Sequence, residues 1–126
     1  MGRVVGIGGL FIKSPQPSVM RAWYRDVLGL NLEEWGGGVI QRENSAPNYQ
    51  VWTIFPSDTE YYTPSHSPFM LNLAVDDLGA LISQIRNLGS DICGGPEVNE
   101  YGFFAWILDP DGNKIELWQK PELETE

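Results

Sequence analysis

The side chains of this chain that could do chemistry are few, and most are isolated. Cys93 and His66 are its only thiol and its only imidazole. One cysteine cannot close an internal disulfide or form a CxxC pair. With its one imidazole far off in sequence, Cys93 reads as an inert thiol unless the fold supplies a base. Asp109 and Glu116 invite comparison with the paired carboxylates that cleave glycosides. They flank Pro110-Asp111-Gly112-Asn113, however, a tight turn that an aspartate at position 109 would itself organise. Asp76-Asp77 stands before an apolar periodic stretch, where a carboxylate caps a helix more readily than it binds calcium. Gly6, Gly8 and Gly9 lack the G-x-G-x-x-G spacing and downstream acid of a dinucleotide site. Five tryptophans are left. Trp23 falls on a helical stripe and reads as core, whereas Trp35, Trp52, Trp106 and Trp118 fall on strand-like segments. Joined by Phe103 and Phe104, those four can line a pocket for a flat organic molecule or bury a subunit contact.

Eight Lys and Arg against seventeen Asp and Glu give a net charge of −9. With the basic residues scattered from Arg3 to Lys120, no basic stripe offsets the repulsion of a phosphate backbone, so nucleic acid and anionic membrane are excluded as partners. Glu122, Glu124 and Glu126, beyond Pro121, read as a frayed, solubilising end. No run approaches the roughly 20 apolar residues of a membrane span. The N-terminus lacks a secretory pattern, so a reduced cytoplasmic setting is expected.

These residues need elements to place them. Val4 to Ile12 reads as a strand, its glycines marking close backbone approach, curvature or the open floor of a cavity. Ser18 is a candidate N-cap for a helix whose Val19, Met20, Trp23, Tyr24, Val27 and Leu28 form one apolar stripe, with Gly29 as C-cap. Leu30 to Trp35, Val39 to Arg42 and Tyr49 to Phe55 read as three strands, parted by Gly36-Gly37-Gly38 and by a turn over residues 43–48. Residues 56–68, rich in Pro, Ser and Thr, form an ordered surface connector.

The order then repeats. Phe69 to Val75 is strand-like, and Leu78, Leu81, Ile82, Ile85 and Leu88 supply the buried stripe of a second helix. Ser90 to Cys93, Tyr101 to Leu108 and Lys114 to Gln119 are strands, with a break at Gly94-Gly95-Pro96. Leu88-Gly89 falls 60 positions after Leu28-Gly29. Neither half alone can bury both a helix and a sheet, so a single domain over residues 1–126 is expected. It would comprise module one at about 4–55, the connector at 56–68 and module two at about 69–120.

Three of these segments carry a resemblance. Trp23-Tyr24-Arg25-Asp26-Val27-Leu28-Gly29-Leu30, Leu73-Ala74-Val75-Asp76-Asp77-Leu78 through Leu88-Gly89, and Asp109-Pro110-Asp111-Gly112-Asn113-Lys114-Ile115-Glu116-Leu117-Trp118 occur in the order seen in glyoxalase, bleomycin resistance and extradiol dioxygenase proteins. The chain resembles this vicinal oxygen chelate superfamily over nearly its whole length. The resemblance implies an α+β domain of two βαβββ modules related by a pseudo-twofold, with curved mixed sheets around a ligand cavity, and commonly a homodimer.

Metal-bearing members take one ligand from the first strand, one from the opening strand of module two and a glutamate from the last strand. Those positions match Gly9 (or, one residue either way, Gly8 or Leu10), Met70 and Glu116. A fourth ligand, where present, would fall near Gln50 or Thr53. One carboxylate with a thioether and no third donor is a poor set for a transition metal, so no metal and no cofactor are expected. His66, in the connector, reads as a solvent-facing loop residue, the alternative being a place at a cavity mouth.

Strand alternation from these matched positions puts Phe11, Lys13, Asn72, Lys114, Glu116 and Trp118 on the cavity side, with Trp52 and Trp106 as further aromatic lining. Leu10, Ile12, Leu71, Leu73, Ile115 and Leu117 then pack beneath the helices. Glu116 can accept hydrogen bonds from a ligand, or act as a base if desolvation raises its pKa; as a plain hairpin residue it would do neither. Asn72 can orient that carboxylate or serve a structural cross-strand bond. Lys13 can draw an anionic substrate or sit exposed at a strand end. The expected function is metal-free binding of a small organic molecule. The alternatives are a metal-independent lyase or isomerase with Glu116 as base, and an interaction protein using its aromatic face.

Overall fold

The computed structural model describes residues 2–41, 49–90 and 92–121. The turn expected over 43–48 and the acidic tail from Glu122 lie outside them. The chain runs β1 (Val4–Ser14), α1 (Pro17–Leu28), β2 (Gly37–Gln41), β3 (Tyr49–Pro56), β4 (Phe69–Val75), α2 (Leu78–Asn87), β5 (Ile92–Asn99), β6 (Gly102–Leu108) and β7 (Lys114–Gln119). All seven strands join one mixed sheet in the order β2-β3-β1-β4-β7-β6-β5. The halves meet where β1 pairs antiparallel with β4. In each half the opening strand runs parallel to the closing one, β1 beside β3 and β4 beside β7, which is the internal repeat in structural form.

This corrects the expected fold class in two respects. The α+β content holds, but the curved sheets closing around a cavity are replaced by one open sheet that neither closes nor curls, with β2 and β5 as free edges. The β1–β4 ladder fuses the modules into a single layer, and among the described residues no ladder joins the outer strands. Module one is also one strand short. Over residues 30–36 the backbone is spent on a turn, in which Glu33 N–H donates to Gly37 O at 2.7 Å and Gly36 N–H to Glu33 O at 3.1 Å. Gly36 sits at φ 97°, a left-handed conformation that ends any extended run. Gly37 and Gly38, read as turn, instead open β2.

The two helices cover the sheet unequally. Asp77 caps α2, accepting from Ala80 N–H at 3.1 Å. Leu78 and Ile82 bury against Val75, Ala105 and Leu117, with Leu73, Leu81, Ile85 and Ile115 packed around them. Leu88, expected in that stripe, is exposed because the helix has already ended there. Helix α1 starts with Pro17 in its first turn rather than with a Ser18 cap, and ends at Gly29 in the left-handed region. None of its residues is buried, and Trp23, read as core, is 49% exposed. With only three strands in its half, α1 has less sheet to cover than α2. Strand β5 runs straight through Gly94-Gly95-Pro96, read as a break. Two register shifts absorb the irregularity, and as an edge strand β5 has no outer ladder for Pro96 to interrupt.

Candidate functional site

Strand register assembles the polar centre. Asn72 on β4 lies opposite Glu116 on β7, and Trp106 on β6 lies opposite the same Glu116. Three neighbouring strands therefore present Asn72, Glu116 and Trp106 in one row on one face. The Glu116 side chain is 2% exposed and fully engaged. Asn72 Nδ2 donates to Oε1 at 2.6 Å, Trp106 Nε1 donates to Oε2 at 2.9 Å, and the Tyr61 hydroxyl donates to Oε2. Burial pushes the Glu116 carboxyl above its ordinary value, the bonds from Tyr61, Trp106 and Asn72 and the charge of Lys114 opposing the rise without cancelling it. Burial likewise drives the Tyr61 phenol up, and the neighbouring carboxylate adds to the effect. Tyr61 is thus a durable proton donor to Glu116.

Around this centre lies a cavity of about 650 Å³. Its walls are aromatic: Phe104 stacks on Trp106 at 11° and on Trp118 at 6°, and Phe55 packs against Tyr61 at 5.2 Å. Tyr61 and Tyr62 come from the connector. Tyr62 is wholly buried with Phe11, Met70 and Trp106, and it anchors the segment that lays Tyr61 over Glu116. Residues 56–68 read as surface for want of a period. The signal available in them is the adjacent Tyr pair, the only large apolar surface in that polar stretch.

Of the residues singled out from sequence, Phe11, Asn72, Trp106, Glu116 and Trp118 line this cavity. Lys13 and Trp52 do not. The Lys13 ammonium sits 5.1 Å from the centre of the Tyr62 ring. Trp52 is on the opposite face, 5.3 Å from Tyr24 of α1, beside a smaller cavity of about 260 Å³ that also takes in Gly9 and Leu10. His66 and Cys93 are exposed and outside the lining. Asp109 organises its turn, accepting from the backbone N–H of Asp111 and Asn113 and from Asn113 Nδ2.

The positions matched to metal ligands hold no suitable donor set. The first-strand residue nearest the centre is Gly8, where a Cβ would collide with Asn72 Oδ1. Met70 is sunk in an apolar cluster, and both Glu116 oxygens are taken by the protein. Among the described residues no group of three or more His, Cys, Asp or Glu stands together. The residues present do not fit the transition-metal centre of the wider fold.

A family model described as the Glyoxalase/Bleomycin resistance protein/Dioxygenase superfamily matches residues 7–117. Among solved structures, a Mycobacterium tuberculosis methylmalonyl-CoA epimerase is similar at 19% identity and a TM-score of 0.65, over 94% of this chain and 90% of its own. A Streptomyces coelicolor methylmalonyl-CoA epimerase shows 15% identity and a TM-score of 0.68, over 95% and 100%. A superfamily member from Vibrio splendidus 12B01 shows 16% and 0.60, over 95% and 100%. At these identities the likeness is one of fold. No curated protein matches the chain.

Proposed function

We propose, from the premise that this chain belongs to the glyoxalase/bleomycin resistance protein/dioxygenase superfamily, that it binds a small, flat organic molecule in the aromatic cavity without the aid of a metal. The observation that carries this reading is the union of a roomy aromatic cavity with one buried, hydrogen-bonded carboxylate. Small-molecule sites are built this way, with apolar walls giving affinity and a few fixed polar atoms giving orientation. The donor set described above supports the metal-free part of the reading.

The tryptophans supply the test. Trp35, Trp106 and Trp118 line the cavity, whereas Trp23 is on α1 and Trp52 on the far face. A panel of flat organic molecules titrated into ¹⁵N-labelled protein should include ligands that shift the indole N–H signals of Trp106 and Trp118 and leave Trp23 in place. Ligands that move only Trp23 and Trp52, or a panel that moves nothing, would sink the reading.

The upward shift of Glu116 favours a second reading, a metal-independent lyase or isomerase with this carboxylate as base. The epimerases among the fold neighbours are named for an isomerisation. In D₂O, protein and a carbonyl compound with an acidic α C–H should then give deuterium incorporation by proton NMR, lost in Glu116→Gln. Incorporation undiminished in that variant removes Glu116 from the role.

A further inference from the structure

The charge and hydrogen-bonding sense of the cavity restrict what can enter it. The cavity carries three carboxylates, with Glu116 at depth and Glu97 and Glu100 exposed on the β5–β6 hairpin. None of the described lining residues is Lys, Arg or His. Two lysines outside the lining stand against its rings, each held by a backbone carbonyl. Lys114 donates to Tyr61 O at 2.7 Å and lies 5.8 Å from the Trp106 ring centre. Lys120 donates to Tyr49 O at 2.7 Å and lies 4.5 Å from the Tyr49 ring centre.

Four of the cavity's side-chain N–H groups are likewise turned to protein acceptors. Trp106 and Asn72 give theirs to Glu116, Trp118 Nε1 gives its proton to Tyr101 O at 2.8 Å, and Asn99 Nδ2 gives one to Glu97 at 3.2 Å. An acceptor, in contrast, is left over. Asn72, 2% exposed, has its Oδ1 buried without a partner, because its amide nitrogen must face Glu116. An unmatched acceptor and carboxylates ask for the same complement, as does the face of Phe104, whereas the Trp106 and Trp118 rings already have an ammonium at 5.8 and 5.3 Å.

We infer that the ligand of this cavity is an organic cation, a flat ring system bearing a protonated or quaternary nitrogen, steered in by Glu97 and Glu100 and held against the aromatic wall. The inference rests on the cavity reading above and adds the sign of the ligand. It also separates this chain from the fold neighbours named for methylmalonyl-CoA, since an acyl-CoA is a polyanion that Glu97 and Glu100 would repel.

Three probes of one shape decide it: N-methylquinolinium, quinoline and a quinoline carboxylate, each titrated calorimetrically near pH 7 with the tryptophan indole signals followed alongside. The cation should bind about tenfold or more tighter than neutral quinoline, and the anion weakest. The variant Glu97→Gln/Glu100→Gln should lose most of the preference for the cation while keeping its affinity for quinoline. Asp26→Asn/Asp111→Asn removes as many charges away from the cavity and should keep the preference, which separates the mouth from the net charge of −9. Equal binding of cation and neutral ring, tighter binding of the carboxylate, or equal loss in both double variants overturns the charge inference and leaves the cavity reading intact. Failure of all three probes to shift Trp106 and Trp118 overturns both.

Discussion

Glu116→Leu is expected to lower the unfolding free energy by about 3 kcal/mol, because it strands the Tyr61 hydroxyl, Trp106 Nε1 and Asn72 Nδ2 at roughly 1 kcal/mol apiece. Chemical denaturation near pH 7 measures it, and a loss below about 1 kcal/mol would show that the network holds little of the fold. Glu116→Gln isolates the charge. The carboxyl is shifted up from its ordinary 4.5, so the folded chain keeps a proton that the unfolded chain has released. The stability from that proton is fully present below about pH 4.5 and is lost as pH rises through the folded value. The stability of the native protein relative to Glu116→Gln should therefore fall as pH climbs above 4.5. A flat difference across that window would mean that the hydrogen bonds outweigh burial after all.

The second large effect concerns Gly8. A Cβ there meets Asn72 Oδ1 far inside contact distance and the Trp118 ring at 3.0 Å. Gly8→Ala must push the amide aside and with it the bond from Asn72 to Glu116, at a cost of about 2 kcal/mol. If that is the mechanism, the penalty should shrink to under about 1 kcal/mol when Asn72→Ala is already in place, a coupling that a double-mutant cycle reads directly. Strict additivity would place the strain in the backbone of β1 instead.

Asn72 and Glu116 were legible in the sequence because each sits on a strand of regular alternation, where a known facing residue fixes its neighbours two positions away. Trp52 was not, because facing depends on register as well as period. It lies opposite Leu10 in the β1–β3 ladder, and alternation puts Leu10 beneath the helices. That register carries Trp52 with Leu10 away from the cavity. The break between Ile7 and Gly9 in the β1–β4 register likewise moves the residue over the centre from Gly9 to Gly8.

Two further differences have nonlocal causes. The stripe on α1 is a correct helix signal, but its burial depends on how much sheet lies below, and the turn at Glu33–Gly37 takes one strand away. Tyr61 reaches Glu116 only through a connector whose path is set by the burial of Tyr62, a tertiary event with no periodic trace. The open sheet was hidden for a similar reason. Paired modules suggest closure, whereas the β1–β4 ladder lays the halves side by side.

Strand β5 carries Glu97 and Asn99 to the cavity and is also a free edge of the sheet, the kind of edge that invites aggregation through the strands of other chains. Pro96 removes one backbone donor, and the two register shifts between Ile92 and Glu97 spoil the even row of donors and acceptors that an incoming strand would have to match. The irregularity therefore discourages intermolecular β-augmentation along the edge that carries Glu97 and Asn99, and so keeps that side of the cavity wall from being covered by another polypeptide.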